Sequence, residues 1–267
     1  MLGPNGSGKT TTIKTLAGLI KKNKGIITSF DINIDLDFEN YIKQIGFSFD
    51  RANYYPFISG YDNLKFFVDT YKKCSKAEIL RCVEEVGLSK RIFDKVSTYS
   101  FGMRQRLNFA KSVLTSAKVI VLDEPFNGID PQGKAEIREL ILKLRREKGI
   151  SFFVSSHLLD EIESISDRIL FYKSGTIVKN ICVNDYISFN HYITIRNPDD
   201  SLGNTLFEKY NNIDHVCEDT LKINCSENDL NDVLHILYKN GYIVLSVSSK
   251  KSIEDLYIKT VGGNQIE

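Results

Sequence analysis

Residues 3 to 10 read Gly3-Pro4-Asn5-Gly6-Ser7-Gly8-Lys9-Thr10, and Ile13, Leu16 and Ala17 follow at helical spacing. Glycines at these offsets let a backbone close round an anion, with the N–H groups of the turn and the helix start aimed at phosphate oxygens. Lys9 is placed to reach the β- and γ-oxygens, and Thr10 offers a hydroxyl to Mg²⁺. Gly3, Pro4, Asn5, Gly6, Ser7, Gly8, Lys9, Thr10 and Thr11 are therefore expected to hold the phosphates of a nucleotide. A strand normally supports such a loop from below, and only Met1 and Leu2 stand in that place.

A second stretch supplies the carboxylates. Val119-Ile120-Val121-Leu122 is a short apolar run that predicts a strand buried on both faces, and it ends in Asp123-Glu124-Pro125. Ligands collect at the carboxyl ends of strands in open α/β sheets. Adjacent residues of an extended segment point differently, so the two acids can take separate roles. Asp123 is expected to hold Mg²⁺ through its water shell, and Glu124 to polarise the water that attacks the γ-phosphorus.

The composition permits this and excludes several other classes. With 267 residues, 42% of them hydrophobic, the chain can build one large α/β domain and something smaller. Lys and Arg (35) nearly balance Asp and Glu (34), so no long-range field recommends nucleic acid as a partner. The five cysteines are odd in number and form no C-x-x-C, which argues against a disulfide framework or a zinc site and fits a reducing compartment. No apolar run approaches the ~18 residues of a membrane helix, so a cytosolic chain that meets a membrane through a partner is expected.

Between Thr10 and Asp123 lies Tyr99-Ser100-Phe101-Gly102-Met103-Arg104-Gln105-Arg106-Leu107, which opens a helix carrying Leu107, Ala110 and Leu114 on one face. Ser100 is a candidate N-cap, and Ser100 with Gly102 leaves backbone donors free at a second helix start. These residues resemble the signature loop of the ATP-binding-cassette (ABC) family, commonly Leu-Ser-Gly-Gly-Gln. Tyr99, Phe101 and Met103 depart from that form and resemble the variant found in bacterial exporter cassettes. Downstream, Asn127-Gly128-Ile129-Asp130 is similar to the family's loop linking two subunits' sites. His157, just beyond the strand Ser151 to Ser156, stands where the family places its switch histidine. Asp50, at the end of an alternating stretch from Ile45, occupies the place where the family has a glutamine, or in exporters a glutamate, touching Mg²⁺ and the attacking water. As a shorter acid it is expected to bind the metal through water rather than directly.

The resemblance implies a P-loop NTPase fold: a mostly parallel sheet with helices on both faces, and a helical insertion at about 59–114 with helices about Asn63 to Tyr71 and Lys76 to Val86. Strands are read near Gly25 to Asp31 and Ile42 to Asp50, a helix at Gln132 to Glu147, and further strands at Arg168 to Tyr172 and Thr176 to Val178. The expected domain is 1–185, lacking its N-terminal strands and the aromatic that stacks on adenine, with weaker ATP binding as the consequence. Residues 186–267 resemble a small α+β appendage, with strands at Tyr192 to Arg196, Leu221 to Cys225 and Tyr242 to Val247 and helices near Glu227 to Tyr238 and Ser252 to Thr260.

The family's arrangement is a homodimer with two shared ATP sites, in which Ser100, Phe101, Gly102 and Met103 of one copy complete the site of the other and Asp130 lies between the sites. It also implies Mg²⁺, catalysis through Glu124, His157 and Lys9, and a separate membrane-spanning permease that this chain meets peripherally on the cytoplasmic face. The aromatic loop Asn53 to Tyr61 is the candidate docking surface for that permease. Two alternatives stay open: a soluble ABC ATPase acting on ribosomes or DNA, although such proteins usually carry two cassettes or long arms, and a binding-only regulatory subunit or inactive fragment.

Overall fold

The computed structural model describes residues 1–49, 54–71, 74–183, 189–196, 213–217, 219–225, 227–251 and 253–261. Asp50, Asn53, Tyr186 and Ser252, which the sequence reading touches, lie outside them. The chain divides into two compact units, Met1–Asn180 and Ile181–Glu267.

The first unit is built round three parallel strands in the order β3 (Ile45–Ser48), β4 (Val119–Asp123) and β5 (Ser151–Ser155). β4 is central, with a neighbour along each edge, and the burial of successive residues Ile120, Val121 and Leu122 shows that both of its faces are covered. Beyond β5 the order continues through Leu2, which pairs in parallel with Ser156 on one side and with Phe171 on the other. Leu2 N donates to Leu170 O at 2.8 Å, and Tyr172 N donates to Leu2 O at 2.7 Å. Met1 and Leu2 thus occupy a strand position, and fully burying the Leu2 side chain stabilises it by about 2 kcal/mol. β6 (Arg168–Lys173) then pairs with β7 (Thr176–Cys182) through a two-residue turn, which only antiparallel strands permit.

Helix α1 (Lys9–Leu16) leaves the phosphate loop with Ile13 fully buried. Two features of the early chain differ from the sequence reading. In place of one strand at 25–31 there is a hairpin at 28–33 of two short strands, β1 (Thr28–Ser29) and β2 (Ile32–Asn33), turned at Phe30 and Asp31, both with positive φ. Residues read as the start of a strand at Ile42 belong instead to helix α2 (Phe38–Lys43), capped by Asp37 through Asn40 N at 3.2 Å, and the strand begins at Ile45.

The helical segment comprises α3 (Gly60–Tyr71), α4 (Lys76–Glu85) and α5 (Phe101–Leu114), with α5 packed on α3, α4 and β3. Ser75 and Glu78 form a reciprocal capping box that starts α4. Helix α6 (Pro131–Lys148) begins at the Asp130 cap and ends at Gly149, whose φ of 64° closes the last turn. Helix α7 (Leu159–Ile165) packs against α6. Arg138 on α6 pairs with Glu161 on α7 at 3.0 Å.

The second unit carries the antiparallel sheet β11–β8–β10–β9, formed by β8 (Phe189–Arg196), β9 (Ile213–Cys217), β10 (Thr220–Cys225) and β11 (Ile243–Lys251), with α8 (Glu227–Lys239) and α9 (Glu254–Val261). Its core joins Ile193, Ile195, Leu221 and Ile223 of the sheet to Val233 and Leu237 of α8. Strand β9 has no counterpart in the sequence reading, because Asp214 and His215 interrupt its apolar pattern.

Candidate nucleotide-binding site

The loop Gly3 to Gly8 wraps the start of α1 at the carboxyl ends of the strands. Gly8 holds φ at 100°, a conformation side chains resist, and thereby turns the chain into the helix. Gly3 has no room for a side chain: a Cβ there would stand 2.3 Å from Tyr172 O. Pro4, Asn5, Gly6, Thr10 and Thr11 face solvent, whereas Ser7 and Lys9 are buried. The Ser7 hydroxyl is buried with no hydrogen-bond partner, an open polar position inside the cradle.

Lys9 Nζ donates to Gly3 O at 2.8 Å and to Pro4 O at 3.1 Å, and stands 3.2 Å from Glu124 Oε1. The loop's cation is thus folded back on the loop and on the acid at the end of β4. Glu124 adopts φ of 49°, which costs a non-glycine residue about 1–2 kcal/mol. Two hydrogen bonds hold its N–H in that conformation, to Ser155 O and Ser155 Oγ, both at 3.1 Å. Glu124 Oε2 lies 2.9 Å from His157 Nδ1. An ionised carboxylate only accepts, so Nδ1 carries the proton of this contact.

Asp123, only 3% exposed, accepts from Ser155 Oγ at 2.7 Å and from Thr10 Oγ1 at 3.2 Å on the same oxygen, Oδ1. The parallel register that pairs Asp123 with Ser155 makes the first contact. In the sequence Ser155 reads only as a strand residue; its hydroxyl orients one acid and fixes the backbone of the other. One buried carboxylate beside one hydroxyl suits Mg²⁺, which keeps several waters and takes phosphate oxygens in preference to an all-protein cage. Among the described residues no group of three or more His, Cys, Asp or Glu could hold a metal.

The structure therefore brings Lys9, Thr10, Asp123, Glu124 and His157 together. The signature residues form a second group. Ser100 caps α5 by accepting from Met103 N at 3.2 Å, and nothing stands within 4 Å of the position a Gly102 side chain would take. Asp130 caps α6 by accepting from Gly133 N at 2.7 Å. Ser100, Phe101, Gly102, Met103 and Asp130 line one open cavity of about 450 Å³ between the two helix starts. Asp50 lies outside the described residues, following Phe49, whose carbonyl accepts from Asn108 Nδ2 at 2.8 Å.

The aromatic loop is fixed by Asn63, which donates to Tyr55 O at 3.0 Å and to Ser59 O at 2.9 Å and accepts from Tyr55 N at 2.8 Å. Tyr55, Phe57 and Ile58 are exposed on it. A cavity of about 320 Å³ beside the loop is lined by Tyr54, Phe66, Phe67 and Lys111. Burial lowers the Lys111 pKa and raises that of Tyr54. No described helix is long and apolar enough to cross a membrane.

The chain is similar to known proteins along its length. A family model described as ABC transporter matches residues 1–127. The "uncharacterized ABC transporter ATP-binding protein YhcH" of Bacillus subtilis is 37% identical over 274 residues, covering 100% of this chain and 87% of its own. The fluoroquinolones export ATP-binding protein Rv2688c of Mycobacterium tuberculosis is 35% identical over 178 residues, 67% of this chain and 58% of its own. The ATP-binding cassette MJ0796, dimeric in a post-hydrolysis state bound to ADP and Pi, superposes with a TM-score of 0.61 at 25% identity over 68% of this chain and 83% of that one. With the phosphate loop, the acid pair and the histidine assembled on a parallel sheet, and a relative that matches the whole of this chain at 37% identity, the chain belongs to the ABC transporter ATP-binding proteins and is an ATPase of that family.

Proposed function

We propose that the chain is the ATP-hydrolysing subunit of a membrane exporter, and that two copies close on two shared ATP molecules to drive a separate permease. The observation that carries this reading is Lys9 lying against Glu124 while Glu124 also meets His157. A cation, an acid and a proton-bearing ring thus converge beside the loop that cradles phosphates.

In this mechanism Lys9 exchanges the Gly3 and Pro4 carbonyls and Glu124 for phosphate oxygens. Glu124, released from its cation, accepts a proton from the attacking water, and His157 keeps the carboxylate aimed. Thr10 and Asp123 are the residues that would hold Mg²⁺, which would neutralise charge on the phosphates. Ser100, Phe101, Gly102 and Met103 present an N-terminal helix end to the nucleotide of the second copy, where the helix dipole and free amides favour negative charge. Asp130, in the same cavity as Ser100, senses the neighbouring site.

Residues 1–185 form the ATPase domain and 186–267 an accessory domain. The exposed aromatic loop and its cavity receive the permease, which places the chain peripherally on the cytoplasmic face. The export direction draws support from the Tyr-Ser-x-Gly-Met signature and from the fluoroquinolone-export relative. Co-purification of the tagged chain with a membrane protein that raises its ATPase rate tests the assignment. A chain that hydrolyses ATP yet captures no membrane protein contradicts it.

A further inference from the structure

The turn joining β6 and β7 closes on the phosphate loop from outside. Gly175 N donates to Ser7 O at 2.8 Å. Tyr172, in the strand just before that turn, is buried, and its hydroxyl lies 3.0 Å from Gly175 O and 2.6 Å from Thr12 Oγ1. Thr12 Oγ1 is in turn 3.1 Å from Gly8 O. The Tyr172 ring also flanks Gly8, since a Cβ there would stand 3.5 Å from Tyr172 Cε1.

We propose that Tyr172 is a positioning residue of the nucleotide site: with Thr12 it ties the β6–β7 turn to Ser7 and Gly8 and so fixes the amides that meet the phosphates. The proposal rests on the phosphate loop being the nucleotide site.

Proton counting shows how the tie works. Three contacts run from Gly175 O through Tyr172 Oη and Thr12 Oγ1 to Gly8 O, and two hydroxyl protons serve them. If Tyr172 donates to Gly175 O, Thr12 donates to Tyr172 and Gly8 O keeps only its backbone bond from Thr12 N, at 2.9 Å. If Tyr172 donates to Thr12, then Thr12 donates to Gly8 O and the turn keeps only its bond from Gly175 N to Ser7 O. Either arrangement adds a hydroxyl bond at one end, and rotation of two hydroxyls exchanges them with no heavy atom moving. Gly3 is pinned from the same strand, because Tyr172 O fills the space beside its Cα. Tyr172 touches no phosphate; it acts through the residues that do.

The test measures ADP affinity of the full chain by calorimetry at low temperature, where every variant is folded, alongside its melting temperature. Tyr172→Phe, which keeps the ring, is expected to weaken ADP binding about threefold to tenfold, the range for one neutral hydrogen bond. Thr12→Val is expected to do the same, and the double variant to lose little more than either single one, since both break one chain of contacts. A group that only stabilises the fold lowers the melting temperature and leaves this affinity unmoved; that outcome overturns the proposal. Lys9→Ala is the control for the underlying reading. If Lys9→Ala abolishes binding and Tyr172→Phe does not change it, Tyr172 has no positioning role. If Lys9→Ala binds ADP normally, the site itself is misassigned.

Discussion

Lys9 Nζ and Glu124 Oε1 stand 3.2 Å apart, with the two side chains only 5% and 13% exposed. The acid is neutralised by the same cation that a triphosphate needs, so nucleotide binding and release of the base are one exchange. Removing the Glu124 charge while keeping its shape separates them. Glu124→Gln is expected to retain ATP binding, to lose about 10²–10⁴-fold in hydrolysis, and to accumulate as an ATP-bound dimer. Phosphate release and size-exclusion chromatography check this, and unchanged turnover removes Glu124 from its role.

Lys9→Ala acts differently, because it leaves Glu124 without the cation beside it and the phosphate without its own. Charge-assisted hydrogen bonds contribute about 1.5–3 kcal/mol, so ATP affinity is expected to fall at least about tenfold. The folded state also loses stability, since a buried charge is left uncompensated. Calorimetric titration and thermal melting read the two effects separately.

Ser100 has a structural task and a proposed catalytic one. Ser100→Ala removes the α5 cap and is expected to cost about 1 kcal/mol of stability. Ser100→Asp keeps a capping side chain, so the melting temperature is expected to hold, but it sets a negative charge where phosphate is to arrive. Hydrolysis is then expected to be lost in a protein as stable as the parent. Retained hydrolysis in Ser100→Asp contradicts a role across the dimer.

Cys82 offers a test of the helical segment. Its thiol lies in the core with Sγ 3.5 Å from Ala110 O, and burial pushes its pKa up to about 12 from 9.0. The folded state therefore holds a proton that the unfolded chain releases, and the stability this contributes is present below pH ~9 and lost as pH rises toward ~12. Near neutral pH, Cys74 and Cys182, both partly exposed, are expected to alkylate well before Cys82. Mass spectrometry of time-resolved labelling checks the order.

Much of the site could be read from the chain because its chemistry is local. Glycine spacing fixes the loop, an apolar run followed by two acids fixes β4, and Ser100 and Asp130 cap their own helices through residues three positions on. What escaped reading depends on partners far apart in sequence. Tyr172 meets Thr12 across 160 positions, and Ser155 meets Asp123 across 32; neither shows before the strand register is known. Helix α2 was hidden because its six residues are too few to set a helical period against the adjoining strand. The hairpin at 28–33 is shorter than any alternation pattern can reveal.

Each ATP is expected to be shared between two copies, and mixing two disabled proteins tests this. Lys9→Ala disables the phosphate loop and Ser100→Asp disables the opposing helix end, so each homodimer lacks both working sites. A mixed dimer regains one, formed by the intact loop of the Ser100→Asp copy and the intact helix end of the Lys9→Ala copy. ATP hydrolysis absent from either parent is expected to appear on mixing. A mixture as inactive as its components, with mixed dimers shown to have formed, contradicts the shared site.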